Sequence, residues 1–170
     1  MDAISQPPAP VNEPNLNYAP NSPERAAIEV ELASLQRRPL KLTATIGGRK
    51  RLGGGPELAV VQPHNHAHVL GTMRGCVEAD AEAAVKAAAK AAPMWRAMSY
   101  DDRAAILLKA ADLLAGPWRA KLNAATMLGQ SKTVWQAEID SACELIDFWR
   151  FNVHYGRQIL EEQPIANAPG

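Results

Sequence analysis

The strongest constraint on this chain is a stretch near its C-terminal end, from about Ser131 to Glu161, that reads as one long helix. Trp135, Ile139, Ala142, Ile146, Trp149 and Val153 recur at three- and four-residue steps, while Leu145, Phe148 and Phe151 widen the apolar surface beyond one stripe. A helix this apolar requires burial on several sides. Shorter neighbours cover part of it, and the remainder calls for a sheet that this sequence does not supply. The fold must therefore be assembled around this rod.

The preceding helices are punctuated by local chemistry. Ser22, Pro23 and Glu24 form a helix start, with Ser22 as N-cap and Pro23 at the first helical position; Ile28, Leu32 and Leu35 continue it as an apolar stripe that ends before Pro39. The alanine-rich run EADAEAAVKAAAKAA has high helix propensity but little bulk, and Pro93 is expected to kink or close it. Ser99 and Asp102 resemble a capping box for the next helix, whose predicted apolar face is Ile106, Ala110, Leu113 and Leu114. A third helix is expected from Pro117 to about Leu128, stopping at Gly129. Between the first helix and these three, Leu42, Thr43, Thr45 and Ile46 alternate into Gly47-Gly48, which predicts a tight hairpin. Leu58 to Val61 and His68 to Met73 should add neighbouring strands to a small antiparallel unit.

These elements define an α+β chain in four parts: an extended proline-rich arm over 1–23, a short helix with a β-hairpin unit over 24–77, a helical region over 78–163, and a tail over 164–170. The arm holds six of the thirteen prolines, which favours extended backbone laid on another element. Charge suggests no partner, since eighteen basic residues balance eighteen acidic ones; neither nucleic acid nor membrane is expected to bind. No apolar run reaches the roughly 20 residues needed to span a bilayer. Two cysteines without metal-type spacing favour free thiols in a reducing compartment. Residues 1–24 contain Asp2, Glu13 and Glu24 but no Lys or Arg, the reverse of a transit peptide, so bacterial cytoplasm or mitochondrial matrix is expected.

Several groupings invite chemistry and then weaken. Gly129-Gln130-Ser131-Lys132-Thr133 lacks the glycine placement of a phosphate loop. His64, His66 and His68 alternate, so a strand would put all three on one face as a metal site requires, yet no carboxylate or thiol cluster joins them. Neither Cys76 nor Cys143 has the base or cation that activates a nucleophile. Lys41, Arg49, Lys50 and Arg51 flank the hairpin without aromatic interleaving. Asp140, Glu144 and Asp147 share one helix face; Asp147 can reach Arg150, whereas Glu144 has no cation three or four positions away, and from the residues alone a solvated face is the reading favoured.

The segment LKAADLLAGPWRAKLNAATMLGQSKTVWQAEIDSACELIDFWRFNVHY (108–155), with NEPNLNYAPNSPERAAI, IGG and QPHNHAHVLGT before it, resembles the N-terminal part of the aldehyde dehydrogenase superfamily over residues 12–164. Within it the likeness is to the 1-pyrroline-5-carboxylate dehydrogenase branch. That resemblance implies an enzyme of proline degradation that oxidises L-glutamate gamma-semialdehyde to glutamate with NAD, through a cysteine thiolate. It implies a homo-oligomer when complete, with the small aldehyde and the remainder of the dehydrogenase as partners. It also implies that the catalytic cysteine, the general-base glutamate, the Rossmann strands and the NAD site lie outside this sequence. The chain is accordingly expected to be an inactive N-terminal fragment that binds no NAD alone; the competing expectation is a non-catalytic assembly module. By the same resemblance Glu144, in CELIDF, falls on a glutamate of the aldehyde-substrate pocket and is the one substrate-binding residue carried over. No catalytic, cofactor-binding or metal residue is carried over, and Asn167 is not the family's oxyanion-stabilising asparagine.

Overall fold

In the computed structural model, which describes residues 7–166, the chain is a mixed α+β structure. Helix α1 (Pro23–Arg37) starts where Ser22 Oγ accepts the Arg25 N–H at 3.2 Å, with Pro23 inside the first turn. Strands β1 (Leu40–Leu42), β2 (Ala44–Ile46), β3 (Arg49–Arg51), β4 (Glu57–Gln62) and β5 (Asn65–Arg74) follow. Then come α2 (Glu78–Ala97), α3 (Tyr100–Ala115), α4 (Arg119–Gln130), α5 (Val134–Ala137), a π-helical turn (Glu138–Cys143) and α6 (Glu144–Glu161). The Asn167 expectation and the outer ends of the predicted arm and tail lie outside the described residues.

Gly47 and Gly48, at φ 59° and 76°, close the expected two-residue hairpin between β2 and β3. The other strands depart from a purely antiparallel unit. β4 and β5 are antiparallel, but β1 pairs parallel to β5, with Leu40 opposite Gly71, giving the order β1-β5-β4. A parallel pair requires a long connection, and here β2, β3 and β4 lie within it.

The helices pack as two small cores. Ala111 and Leu114 of α3 meet Ala142 and Ile146, with Leu122, Leu145 and Trp149 around them. Ile28 of α1 and Ala124 of α4 enclose Tyr18 of the arm, flanked by Leu16, Leu32, Leu35 and Met127. The buried face of α3 is therefore Ala104, Ala111 and Leu114, while Ile106 and Leu113 point outward. Small residues sit where α3 approaches α6, because alanine allows the two backbones to come close.

Of the two outcomes expected at Pro93, closure does not occur, and both ends of α4 differ from the sequence reading. α2 continues through Pro93 to Ala97, and none of its residues is buried; on a solvent-facing helix a missing N–H bends the backbone without stranding a buried carbonyl. α4 begins at Arg119 rather than Pro117. It runs past Gly129 to Gln130, and the left-handed residue that ends it is Ser131, at φ 57°. The long rod starts with Thr133 as N-cap, its hydroxyl accepting the Gln136 N–H, and it is not uniformly α-helical. In its second turn the Glu144 N–H bonds to the Ile139 carbonyl, a five-residue step. The extra residue turns the first part of the rod relative to the second, and Trp135, expected on the buried stripe, is 52% exposed.

Candidate functional site

The π turn carries a residue absent from the sequence-based candidates. Glu138 is completely buried, in a stripe otherwise made of Ala137, Ala142, Cys143 and Ile146. A buried carboxylate must be paired and hydrogen-bonded. Oε1 accepts the Leu16 N–H at 2.7 Å and an Arg119 Nη2–H, and Oε2 accepts Tyr18 Oη–H at 2.7 Å, Asn123 Nδ2–H at 2.8 Å and Arg119 Nε–H at 3.2 Å. Burial works against ionisation, yet Arg119, the Leu16 N–H and the Tyr18 hydroxyl outweigh it and hold the carboxyl below the usual carboxylate range. Burial, then the bond to Glu138, pushes the Tyr18 phenol upward, so it remains a donor.

The same arginine ties down the arm. Arg119 Nη1 is 2.6 Å from Glu13 Oε1, and its Nη2 donates to the Pro14 carbonyl at 2.8 Å. Glu13 Oε2 takes Arg150 Nη1 from α6 at 2.6 Å, so one carboxylate bridges two guanidinium groups. Arg119 and Asn123 stand one turn apart on α4 and both face the rod, with side chains buried or nearly so. The signal in the sequence was a carboxylate four residues before Ala142 and eight before Ile146, opposite a polar pair in an apolar helix. Those positions suit a buried network.

Arm and α6 together frame an open groove lined by Asn12, Glu144, Asp147, Phe148 and Phe151. On the far side of Phe148 a second depression is lined by Asp140, Ser141, Glu144 and Leu145 with Leu122, Thr126 and Gln130 of α4. The three acidic residues expected on one face do border this surface, but two are engaged. Asp140 pairs with Lys132. Asp147 does not pair with Arg150 as its spacing allowed; its Oδ2 accepts Asn12 Nδ2–H and its Oδ1 accepts the Glu13 N–H, each at 2.7 Å. Glu144 is exposed between the two depressions, and no hydrogen bond or ion pair from the described residues reaches its carboxylate.

The remaining candidates disperse. His64 lies in the β4–β5 turn, its Nδ1 2.7 Å from Ser131 Oγ, whereas His68 Nε2 meets the Gln36 carbonyl at 3.1 Å, so the alternation does not converge on one point. Among the described residues no group of three or more His, Cys, Asp or Glu is arranged to hold a metal. Cys143 is buried, 3.3 Å from Arg119 Nη2, and burial followed by the Glu138 charge pushes its thiol up to about 11. That direction opposes nucleophilic activation. Cys76 is exposed.

The glycine-rich loop over residues 53–55 does not fit a dinucleotide phosphate. The Gly54 N–H already donates to Asp80 Oδ2 at 2.8 Å, the Gly55 N–H donates to the Gly75 carbonyl, and the Gly75 N–H donates to the Pro56 carbonyl. A carboxylate occupies the place an anion would take. No helix among the described residues is long and apolar enough to cross a membrane.

Comparison with known proteins identifies the family and the fold. Residues 52–170 match the profile of the aldehyde dehydrogenase family. A delta-1-pyrroline-5-carboxylate dehydrogenase from Agaricus bisporus is 46% identical over 160 residues, which are 94% of this chain and 29% of that protein. The human mitochondrial delta-1-pyrroline-5-carboxylate dehydrogenase is 40% identical over 158 residues, 93% of this chain and 28% of its own length. The crystal structure of the delta-pyrroline-5-carboxylate dehydrogenase from Mycobacterium tuberculosis, solved also with NAD, superposes with a TM-score of 0.95 at 61% identity; it is matched over 98% of this chain and 31% of that one. The chain thus spans somewhat under a third of the length of its relatives, over their N-terminal part. A mixed fold built on one interrupted helical rod, aligned throughout with dehydrogenases at this level of identity, belongs to the aldehyde dehydrogenase family.

Proposed function

We propose that this chain forms one wall of the substrate pocket in an enzyme that oxidises L-glutamate gamma-semialdehyde to glutamate with NAD, and that Glu144 binds the substrate. The observation that carries this is the state of Glu144: alone among the three acids of its face, it presents a carboxylate not engaged by the described residues, beside Phe148 and Phe151. The semialdehyde bears an α-ammonium group and a short aliphatic stem. A carboxylate sharing a groove with two phenyl rings offers an acceptor for the first and apolar surface for the second.

The residues of this chain bind and orient. The covalent and hydride chemistry of the family requires an activated thiolate and a bound dinucleotide, whereas burial works against a thiolate at Cys143 and the Gly54 N–H of the glycine-rich loop is already taken by Asp80. NAD binding, assembly into a homo-oligomer, and a bacterial cytoplasmic or mitochondrial matrix setting are proposed for the complete enzyme. The isolated chain is proposed to be inactive.

Replacement Glu144→Gln in the complete enzyme tests the reading. Loss of one charge-assisted bond should raise KM for the semialdehyde about tenfold, equivalent to about 1.4 kcal/mol, with a smaller change in kcat. An unchanged KM would remove Glu144 from the pocket. Robust NAD reduction by the purified 170-residue chain would refute the division of labour.

A further inference from the structure

We infer that Asn12 is a specificity-determining residue of this pocket, because it keeps Asp147 from acting as a second carboxylate beside Glu144. The inference rests on the substrate-binding role proposed for Glu144 and extends it to the arm.

Asn12 and Asp147 both line the groove that Glu144 faces. Asp147 lies three residues after Glu144 on α6, so the two carboxylates stand on adjacent turns. Both Asp147 oxygens are engaged where it borders the groove, one by Asn12 Nδ2–H and the other by the Glu13 N–H. Only the first is a side chain, and only the first borders the groove.

Asn12 is not a loose surface residue that meets Asp147 by chance. Its neighbour Glu13 is clamped between Arg119 and Arg150, and Pro14 accepts from Arg119. Two residues further on, the Leu16 N–H is fixed on Glu138. The arm reaches Asp147 with its backbone already immobilised, which lets a single amide engage and screen the Asp147 oxygen nearest the groove while the carboxylate keeps its charge.

The chemical consequence concerns which aldehydes are accepted. One unengaged carboxylate suits a ligand that is an ammonium and a carboxylate at once, because a second one, no longer screened by an amide N–H, would repel the ligand's own carboxylate more strongly. Removal of the Asn12 amide frees Asp147 Oδ2 toward the groove. Binding then favours a purely cationic aldehyde over a zwitterionic one.

The experiment compares L-glutamate gamma-semialdehyde with 4-aminobutanal, an amino-aldehyde lacking the α-carboxylate, in the complete enzyme and its Asn12→Ala variant. The ratio of kcat/KM for the cationic aldehyde to that for the zwitterion should rise about fivefold, mainly through KM, as expected for loss of one charge-assisted hydrogen bond at a partly exposed site. Asn12→Gln, which retains an amide donor, should recover part of the wild-type ratio. Equal changes for both aldehydes, or no change for either, overturn the inference. The Glu144→Gln variant separates the two claims: if it raises KM while Asn12→Ala leaves the ratio unaltered, only the role of Asn12 fails. If Glu144→Gln leaves KM unaltered, both fail.

Discussion

Replacing Glu138 by glutamine should be among the most damaging single changes available to this fold, although it alters volume by very little. Five N–H and O–H donors converge on the carboxylate, from Leu16, Tyr18, Asn123 and twice from Arg119. A glutamine presents one acceptor oxygen and one NH₂ group. Turned to do least harm, its NH₂ end takes the Oε1 position and faces the Leu16 N–H and Arg119 Nη2, so two buried donors lose their acceptor and meet another donor. Each unsatisfied donor costs about 1–3 kcal/mol, and the Arg119 guanidinium, its side chain only 7% exposed, keeps Glu13 alone as an ionic partner. The sum is about 3–5 kcal/mol, the range for breaking a buried ion pair from one side. A domain of this size has about 5–15 kcal/mol of stability in total, so Glu138→Gln should shift the urea midpoint by a large fraction of its value. Tryptophan fluorescence reports the transition, since Trp149 packs against the α3–α6 core. In a double-mutant cycle, Arg119→Met combined with Glu138→Leu should cost much less than the sum of the two single changes, because an apolar pair leaves no charge stranded. A Glu138→Gln protein less than 1 kcal/mol below wild type would refute the argument that this network holds the arm and the rod together.

Two other perturbations follow from the packing. Gly156→Ala, which by helix propensity alone should stabilise α6 by nearly 1 kcal/mol, should instead destabilise by about 1–3 kcal/mol, measured by urea unfolding, because the new Cβ would lie 2.5 Å from Tyr100 Oη, which donates to the Val153 carbonyl. Cys143 supplies an alkaline limit. Its folded-state value of about 11 lies above the ordinary thiol value near 8.5, so the native state retains a proton that the unfolded state releases; stability is complete below about pH 8.5 and falls by about 1 kcal/mol per pH unit up to about pH 11. Urea midpoints across pH 8–10 should show this slope in wild type and lose it in Cys143→Ala, whereas equal slopes in both would assign the loss to another group.

Legibility in the sequence followed the range of the interactions. Ser22 with Pro23, Ser99 with Asp102, and Gly47 with Gly48 act over two to four residues, and each was readable because the side chain that satisfies the backbone lies next to it. The parallel pairing of Leu40 with Gly71 spans three intervening strands and has no local marker. Gly129 was the chemically obvious place for a left-handed turn. The chain turns instead at Ser131, whose hydroxyl meets His64 across the fold, so a tertiary contact accompanies the strained conformation. The π turn escaped detection because apolar spacing alone fits an uninterrupted helix. It became visible only through the carboxylate buried there. Trp135 fell on the wrong side for that reason. Glu144 is proposed from resemblance to a family segment, and spacing alone does not single it out: what distinguishes it from Asp140 and Asp147 is that Lys132 and the arm take the other two.

The bridge from Glu13 to Arg150 joins residues 137 positions apart in the chain, and Tyr18 meets Glu138 across 120. During translation at about 5–20 residues per second, the N-terminal segment leaves the ribosome many seconds before the side chains that will hold it exist. Proline-rich and extended, it has no helix or hairpin of its own in which to wait. A segment made well ahead of its partners is thus among the last to be secured, and it is seated when the rod that carries both Glu138 and Glu144 has emerged.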